Sequence, residues 1–325
     1  MGLEAGARAA HRIRGLAVSA PKATVVIVTK DRREDALRAV ASAAAQVPSV
    51  EVVVMDDGSS DGTAEAVRDA FPAARVERFE TSEGYIVRRN QAADLASGEV
   101  LVSIDDDAEI PAADVVATTV AEFEDPHIGA VAIPYVDLPD ETVRQRAPSP
   151  SGVHLVHRFR GTAYATRREL FLRLGGFRTL LFHQAEEADY CLRLLDAGYV
   201  VRLGSARPIR HHAAVRPFER AWFYECRNGV LFAWHNVPMP QLLLQLGKSS
   251  AYQLWLGRGV RRSGLFARGL AAGGVAAARD RRSRKPVSRA TWRLYRRLGK
   301  RQTTLEEVRP QVERLRSASE TGTVA

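Results

Sequence analysis

Three consecutive carboxylates, Asp105, Asp106 and Asp107, close the apolar run "EVLVSI". Oxygen donors of this kind suit hard divalent cations such as Mg²⁺ or Mn²⁺, which take one or two carboxylates and leave other positions to water and phosphate. Residues two apart in an extended segment share a side, so Asp105 and Asp107 pair as metal candidates while Asp106 points elsewhere. A second acidic group, Glu186, Glu187 and Asp189, opens an amphipathic helical stretch. Acids in a first turn often serve as dipole and capping partners, and one of the three fits that role. His211 and His212 follow a short strand-like run and offer an imidazole to the same cation. Two further polar ends complete the set, Thr29 to Asp31 and Asp56 with Asp57.

Those residues need elements to position them. Between residues 22 and 136 short runs of β-formers alternate with helical stretches: "ATVVIVTKD", "REDALRAVASAAAQ", "VEVVVMDDGSSDGT", "AEAVRDAF", "ARVERFE", "YIVRRNQAADLAS", "EVLVSIDDD", "AADVVATTVAEFE", "IGAVAIPYV". This alternation predicts an α/β fold, a Rossmann-like, doubly wound and mostly parallel sheet whose Val/Ile-rich strands are covered on both faces. Ligands bind such sheets beyond the carboxyl ends of the strands, and three of the predicted ends are acidic. Residues 137–160, rich in Pro and polar residues, read as a long surface loop. From Gly161 the chain predicts a strand and short helix ending at Gly175 and Gly176, the acidic-fronted helix to Gly198, a strand "VVRLG" and the segment "IRHHAAV".

Other chemistries are excluded by spacing. No GxGxxG follows the first strand and no GxxxxGK[ST] occurs, which disfavours dinucleotide and P-loop sites. "DDGSSDG" begins like a calcium loop, but its twelfth position holds Arg68 or Val67 rather than glutamate. Two cysteines, Cys191 and Cys226, form neither a disulfide framework nor a zinc site, and they read as core residues. The N-terminus lacks an uninterrupted apolar region and no stretch reaches the ~18 apolar residues of a membrane span, so the expectation is a cytoplasmic protein.

The ordered segments "VVIVTKDR", "VVVMDDGSSDGT", "GYIVRRNQAADLASGEVLVSIDDD", "GTAYATRRELFLRLGGF", "EEADYCLRLLDAGY" and "RHH" resemble the family 2 glycosyltransferases, inverting sugar-nucleotide enzymes of the glycosyltransferase-A fold. The resemblance covers about residues 22–236. It implies a nucleotide site at Thr29, Asp31, Asp57, Arg89, Asn90, Asp105 and Asp106, with Gly84 at the start of the helix facing the nucleotide. A divalent cation, Mn²⁺ or Mg²⁺, would be held by Asp105, Asp107 and His211, His211 matching the family's histidine better than His212. The catalytic base falls on Glu187, where the family usually has aspartate, with Glu186 and Asp189 as the other candidates and Arg193 orienting them. The implied partners are a nucleotide-diphosphate sugar donor and a glycan or lipid-linked acceptor, in cell-surface polysaccharide or glycolipid assembly.

The 325 residues carry a formal charge of +9, unevenly. From Arg258 to Arg301 there are 15 Lys or Arg against one acid, Asp280, a local +14 that leaves the rest of the chain near −5. The chain thus divides into an N-terminal extension (1–21), a nucleotide-sugar-binding half (22–136), an acceptor-binding and catalytic half (137–236) and a basic, largely helical C-terminal extension (237–325) whose last residues, 317–325, read as disordered. Leu, Trp and Phe among dense Arg fit helices lying on an anionic membrane, peripheral to the inner face of the plasma membrane. No specific nucleic acid is expected, since no reader motif accompanies the charge. Two other readings stand beside the transferase: a nucleotidyltransferase-like enzyme, and a non-catalytic membrane- or nucleic-acid-binding protein with a degenerate transferase domain.

Overall fold

The computed structural model describes residues 22–138, 140–212 and 218–322; the extension 1–21 lies outside the described residues. The expected alternation is present: β1 (Ala23–Thr29), α1 (Arg33–Ala44), β2 (Glu51–Asp56), α2 (Thr63–Ala70), β3 (Arg75–Arg78), α3 (Tyr85–Leu95) and β4 (Val100–Asp105). Side chains alternate across a strand, and the core divides accordingly. Val25 and Ile27 of β1 pack with Ala36, Ala39 and Val40 of α1, whereas Val26 packs with Ile86, Ala92 and Ala93 of α3 on the opposite face. Helices therefore cover both faces of a doubly wound sheet.

Beyond β4 come β5 (Ala108–Glu109), α4 (Val115–Ala121), β6 (Ile128–Ala132), β7 (Tyr135–Asp137), β8 (Val143–Arg144), β9 (His154–Val156), β10 (Ala163–Arg167), α5 (Arg168–Arg173), α6 (Glu186–Asp196), β11 (Val200–Leu203) and β12 (Ile209–His211). The last part is α7 (Phe218–Asn236), α8 (Gln241–Gly259), α9 (Ser263–Arg279), α10 (Arg289–Leu298), β13 (Thr303–Thr304) and α11 (Leu305–Glu320). The main sheet has nine strands in the order β13-β9-β11-β6-β10-β4-β1-β2-β3. All run in one direction except β9 and β10, which are antiparallel to their neighbours.

The chain moves outward from β1 through β2 to β3, then returns to place β4 on the other side of β1. The topological switch point thus lies between β1 and β4, where open α/β sheets form their binding crevice. Register puts the acidic ends together there: Thr29 lies beside Asp56, and Val28 beside Asp105.

Two segments differ from expectation. Residues 137–160 are not one open loop: β8 makes a hairpin with β7, and β9 enters the main sheet between β11 and β13. Strands of two and three residues are too short for periodicity to register, so the surrounding Pro and Ser dominate the sequence signal. At the C-terminus α11 continues to Glu320, past the start of the stretch that reads as disordered. Trp292, Leu294, Tyr295 and Leu298 of α10, and Leu305, Val308, Val312 and Leu315 of α11, belong to the same apolar cluster as β1 and α1. Cys191 and Cys226 are free and buried, as expected.

Candidate active site

The Asp triplet is positioned by two sheets at once. β4 delivers Asp105 to the crevice, and after Asp106 and Asp107 the chain enters β5, the edge of a four-stranded sheet ordered β5-β12-β7-β8. In that sheet His211 of β12 lies beside Ala108 of β5 and Asp137 of β7. Three segments distant in sequence are thereby fixed at one point. Carboxylate oxygens of Asp105 and Asp107 and a ring nitrogen of His211 all lie within 4.8 Å of one another. His211 Nε2 is 3.2 Å from Asp107 Oδ1 and 4.0 Å from Asp105 Oδ2, while its Nδ1 is 2.7 Å from Asp137 Oδ1. Asp137 holds the ring as carboxylates behind metal-binding histidines do. His212 faces Glu109 instead, at 3.5 Å.

Asp106 is not among the three converging ligands. Arg32 reaches Asp106 Oδ1 at 3.0 Å and Asp107 Oδ2 at 2.7 Å with the same nitrogen. Burial raises Asp106 to about 6, against the pull of Arg32 and aided by the charges of Asp107 and Asp105. Burial also works against ionised Asp107, but hydrogen bonds from His211 and Arg32 outweigh it and hold that carboxyl well below the usual range. For His211, burial disfavours the charged ring, yet Asp107 and Asp137 overcome it and raise the imidazole to about 9. Neither Arg32 nor Asp137 was singled out by the sequence. Arg32 follows an acidic strand end, and Asp137 ends "AIPYVD", so each carried a faint positional signal.

The expected nucleotide residues divide into exposed and committed groups. Asp31, exposed at the end of β1 with φ 51°, accepts from Ser60 N at 2.7 Å and Ser60 Oγ at 3.0 Å. Thr29 is buried, and its carbonyl accepts from the Asp57 N–H at 2.9 Å. Asp57 takes four donors, Ser82 Oγ, the Glu83 and Gly84 N–H groups and Arg88 Nε, at 2.6 to 2.9 Å. It organises the loop leading into α3. Asn90, expected to face the nucleotide, commits both ends of its amide to the backbone of Phe177, at 2.8 and 2.9 Å. The fully buried cation of α3 that the sequence reading missed is Arg88, which also stacks on Phe79 with its guanidinium carbon 3.6 Å from the ring centre.

Arg89 connects the two acidic groups. It bonds Asp105 Oδ1 at 2.8 Å and the Gly161 carbonyl at 3.0 Å, and the Gly161 N–H donates to Glu187 Oε1 at 2.9 Å. Glu187 is therefore joined to Asp105, a ligand of the candidate metal group, through two residues, Arg89 and Gly161. Beside it Glu186 is buried, with Oε2 lacking a hydrogen-bond partner among the described residues. Burial, then the charge of Glu187, pushes Glu186 well above the ordinary carboxylate range. Asp189 is buried among other partners: Arg178 and Arg193 each approach at 2.9 Å and Asn236 Nδ2 at 2.8 Å. Arg193 thus orients Asp189 alone among the three acids, and also grips the Gly176 carbonyl at 2.6 Å.

Residues 24–185 match the family model described as "Glycosyl transferase family 2". The domain belongs to that family. A curated relative, the succinoglycan biosynthesis protein ExoU of Rhizobium meliloti (strain 1021), is 36% identical over 86 residues; the match covers 26% of this chain and 25% of that protein. Among solved structures, the mannosyltransferase PcManGT from Pyrobaculum calidifontis in complex with GDP-Man and Mn²⁺ is 20% identical, with a TM-score of 0.55 over 94% of this chain and 88% of that one. S. aureus TarS 1-349 in complex with UDP-GlcNAc is 15% identical, with a TM-score of 0.59 over 93% and 89%. Likeness at these identities establishes the fold.

In this family 2 domain the two sheets bring Asp105, Asp107 and His211 together, and Arg89 with Gly161 joins them to Glu187. Asp57, Asn90 and Asp189 are turned to internal bonds. A large cleft of about 1230 Å³ lies elsewhere, lined by Arg193 and Asp196 of α6 together with α10 and α11, and none of Asp105, Asp107, Glu186 or Glu187 borders it.

Proposed function

We propose that the chain is a metal-dependent inverting glycosyltransferase, moving a sugar from a nucleotide-diphosphate sugar to an acceptor hydroxyl. The observation that carries this reading is the Asp105–Arg89–Gly161–Glu187 connection, which sets a cation-binding group and a carboxylate at the same crevice. The donor set fits a divalent cation: two carboxylates and an imidazole converge, and their imidazole is oriented from behind by Asp137. Held by Asp105, Asp107 and His211, Mn²⁺ or Mg²⁺ would supply Lewis-acid neutralisation of a diphosphate leaving group. PcManGT with GDP-Man and Mn²⁺, and TarS with UDP-GlcNAc, support a nucleotide-diphosphate sugar as donor. ExoU's part in succinoglycan biosynthesis supports an acceptor in polysaccharide or glycolipid assembly.

The protein's own residues then act as follows. Asp31 and the 56–63 loop border the base and ribose, and Asp57 holds the 82–84 turn that completes this wall. Asp106 and Arg32 set the charge behind the diphosphate. Glu187, with Oε1 fixed by the Gly161 N–H, takes the acceptor hydroxyl proton on Oε2. The acceptor oxygen forms its bond to the anomeric carbon as the bond to the diphosphate oxygen breaks on the opposite face, and the nucleoside diphosphate leaves with the electron pair. Burial favours the protonated form of Glu186, which lowers the negative charge beside Glu187.

Calorimetric titration with UDP-, GDP- and dTDP-sugars, with and without Mn²⁺, tests the reading. We expect one donor to bind, and to bind tighter with metal. No binding of any nucleotide sugar in either condition would overturn it.

A further inference from the structure

We infer that the outer face of α8 is a docking surface for an anionic lipid bilayer. The helix has two unlike sides. Leu242, Gln253 and Gly257 are buried, with Gln253 reached by Cys226 Sγ of α7 at 3.6 Å and a Cβ on Gly257 placed 2.9 Å from Phe266 of α9. On the other side Leu243, Leu244, Tyr252, Leu254 and Trp255 are 63, 63, 57, 40 and 67% exposed. Met239 and Val260, at the two ends, are also exposed. Of the eleven large exposed hydrophobic residues among the described residues, seven fall within 239–260. Scattered exposed leucines are ordinary, but this concentration on one helix marks an interaction site.

Charge decides the partner. Residues 237–279 hold Lys248, Arg258, Arg261, Arg262, Arg268 and Arg279 and no Asp or Glu. Arg262 bridges exposed Glu219 at 2.9 Å; Lys248, Arg258, Arg261 and Arg268 have no ion-pair partner among the described residues. A second copy of the chain at a two-fold interface would set these bases against the same bases, with no acid on α8 or α9 to separate them. Nucleic acid would meet the bases but leave Leu243, Leu244 and Leu254 without a partner. An anionic bilayer satisfies both, since leucines enter the acyl boundary, Tyr and Trp sit at headgroup level and each base meets a lipid phosphate. Tyr252 and Trp255 are stacked, ring centres 6.1 Å apart, as one aromatic unit on that face. No helix among the described residues is long and apolar enough to cross a membrane, so α8 would lie in the interface plane.

This surface stands apart from the transferase reading and is tested without substrate. The full chain is sedimented with phosphatidylcholine vesicles, with and without phosphatidylglycerol, and compared with the double variant Leu244→Glu, Trp255→Glu. We expect the unmodified chain to bind phosphatidylglycerol vesicles, to release at high salt, and to lose about tenfold or more in partitioning in the variant. The variant should keep its thermal melting and its donor binding by calorimetry, so that a failed transferase reading and a failed docking surface give different results. Failure of the unmodified chain to sediment, or equal sedimentation of the variant, overturns the proposal. So does light scattering that shows the face mediating self-association, or a gel shift in which RNA binding is lost with Leu244 and Trp255.

Discussion

At the scale of single residues, the three acids at the start of α6 have three different environments, and each predicts a different mutant. Glu187→Gln keeps shape and the Gly161 hydrogen bond but cannot take a proton. Turnover should fall by about 10²- to 10⁴-fold with donor affinity unchanged; near-normal turnover would remove Glu187 from the role. Gly161→Ala places a Cβ 2.8 Å from Glu187 Oε1 and 3.0 Å from Arg89 Nη1, so it should lower kcat while leaving the fold intact. Steady-state kinetics beside a melting curve separates those effects. Glu186 makes a stability prediction. Its folded-state pKa lies above the unfolded value of 4.5, so above that pH the native state holds the extra proton and stability falls as pH rises toward the folded pKa. Glu186→Gln removes this slope. The variant should gain on the order of 1–3 kcal/mol over the parent between about pH 5 and about pH 8, measured by denaturant unfolding. The types and spacing of these acids were legible in the sequence. Their division of labour was not, because it depends on Arg178, Arg193, Asn236 and Gly161, which reach them only through the tertiary fold.

At the scale of elements, long strands and helices were legible and short ones were not. Repeated Val and Ile with acidic ends sufficed for β1, β2 and β4, and those three strands set the crevice. The small sheet of β5, β12, β7 and β8 was invisible to periodicity, although its register brings His211 beside Asp137. Helix contacts were hidden for a related reason: they depend on what is missing. In α9, a Cβ on Gly269 would lie 2.7 Å from the Phe223 carbonyl oxygen of α7, and one on Gly273 would lie 2.6 Å from that of Arg227. These glycines let the α9 backbone approach the α7 backbone directly. Gly273→Val should therefore force the helices apart and destabilise the protein by about 1–3 kcal/mol, read as a lowered denaturation midpoint.

At the scale of the whole molecule, one basic composition serves two ends. α8 turns Leu and Trp outward, whereas α10, with Arg293 and Arg296 exposed, turns Trp292, Leu294, Tyr295 and Leu298 into the core. Only α10 gathers its apolar residues on one face; α8 carries Leu, Tyr and Trp on several sides, so its sequence does not say which of them the protein covers. The deciding partners are far away in the chain. β13 completes the sheet against β9, Leu305 N–H donates to the Val153 carbonyl at 2.8 Å, and Arg309 pairs with Asp125 at 2.8 Å. Removal of residues after 287 would strip this cover from the sheet and expose the cluster shared with β1 and α1. Such a truncation should lose cooperative thermal unfolding and donor binding together. Leu244→Glu with Trp255→Glu should lose neither, because both side chains are mostly exposed and lie outside the apolar clusters of the core. A truncated protein that melts cooperatively would show that the sheet and its crevice stand without α10, β13 and α11, and that the apolar faces of α10 and α11 are free for another partner.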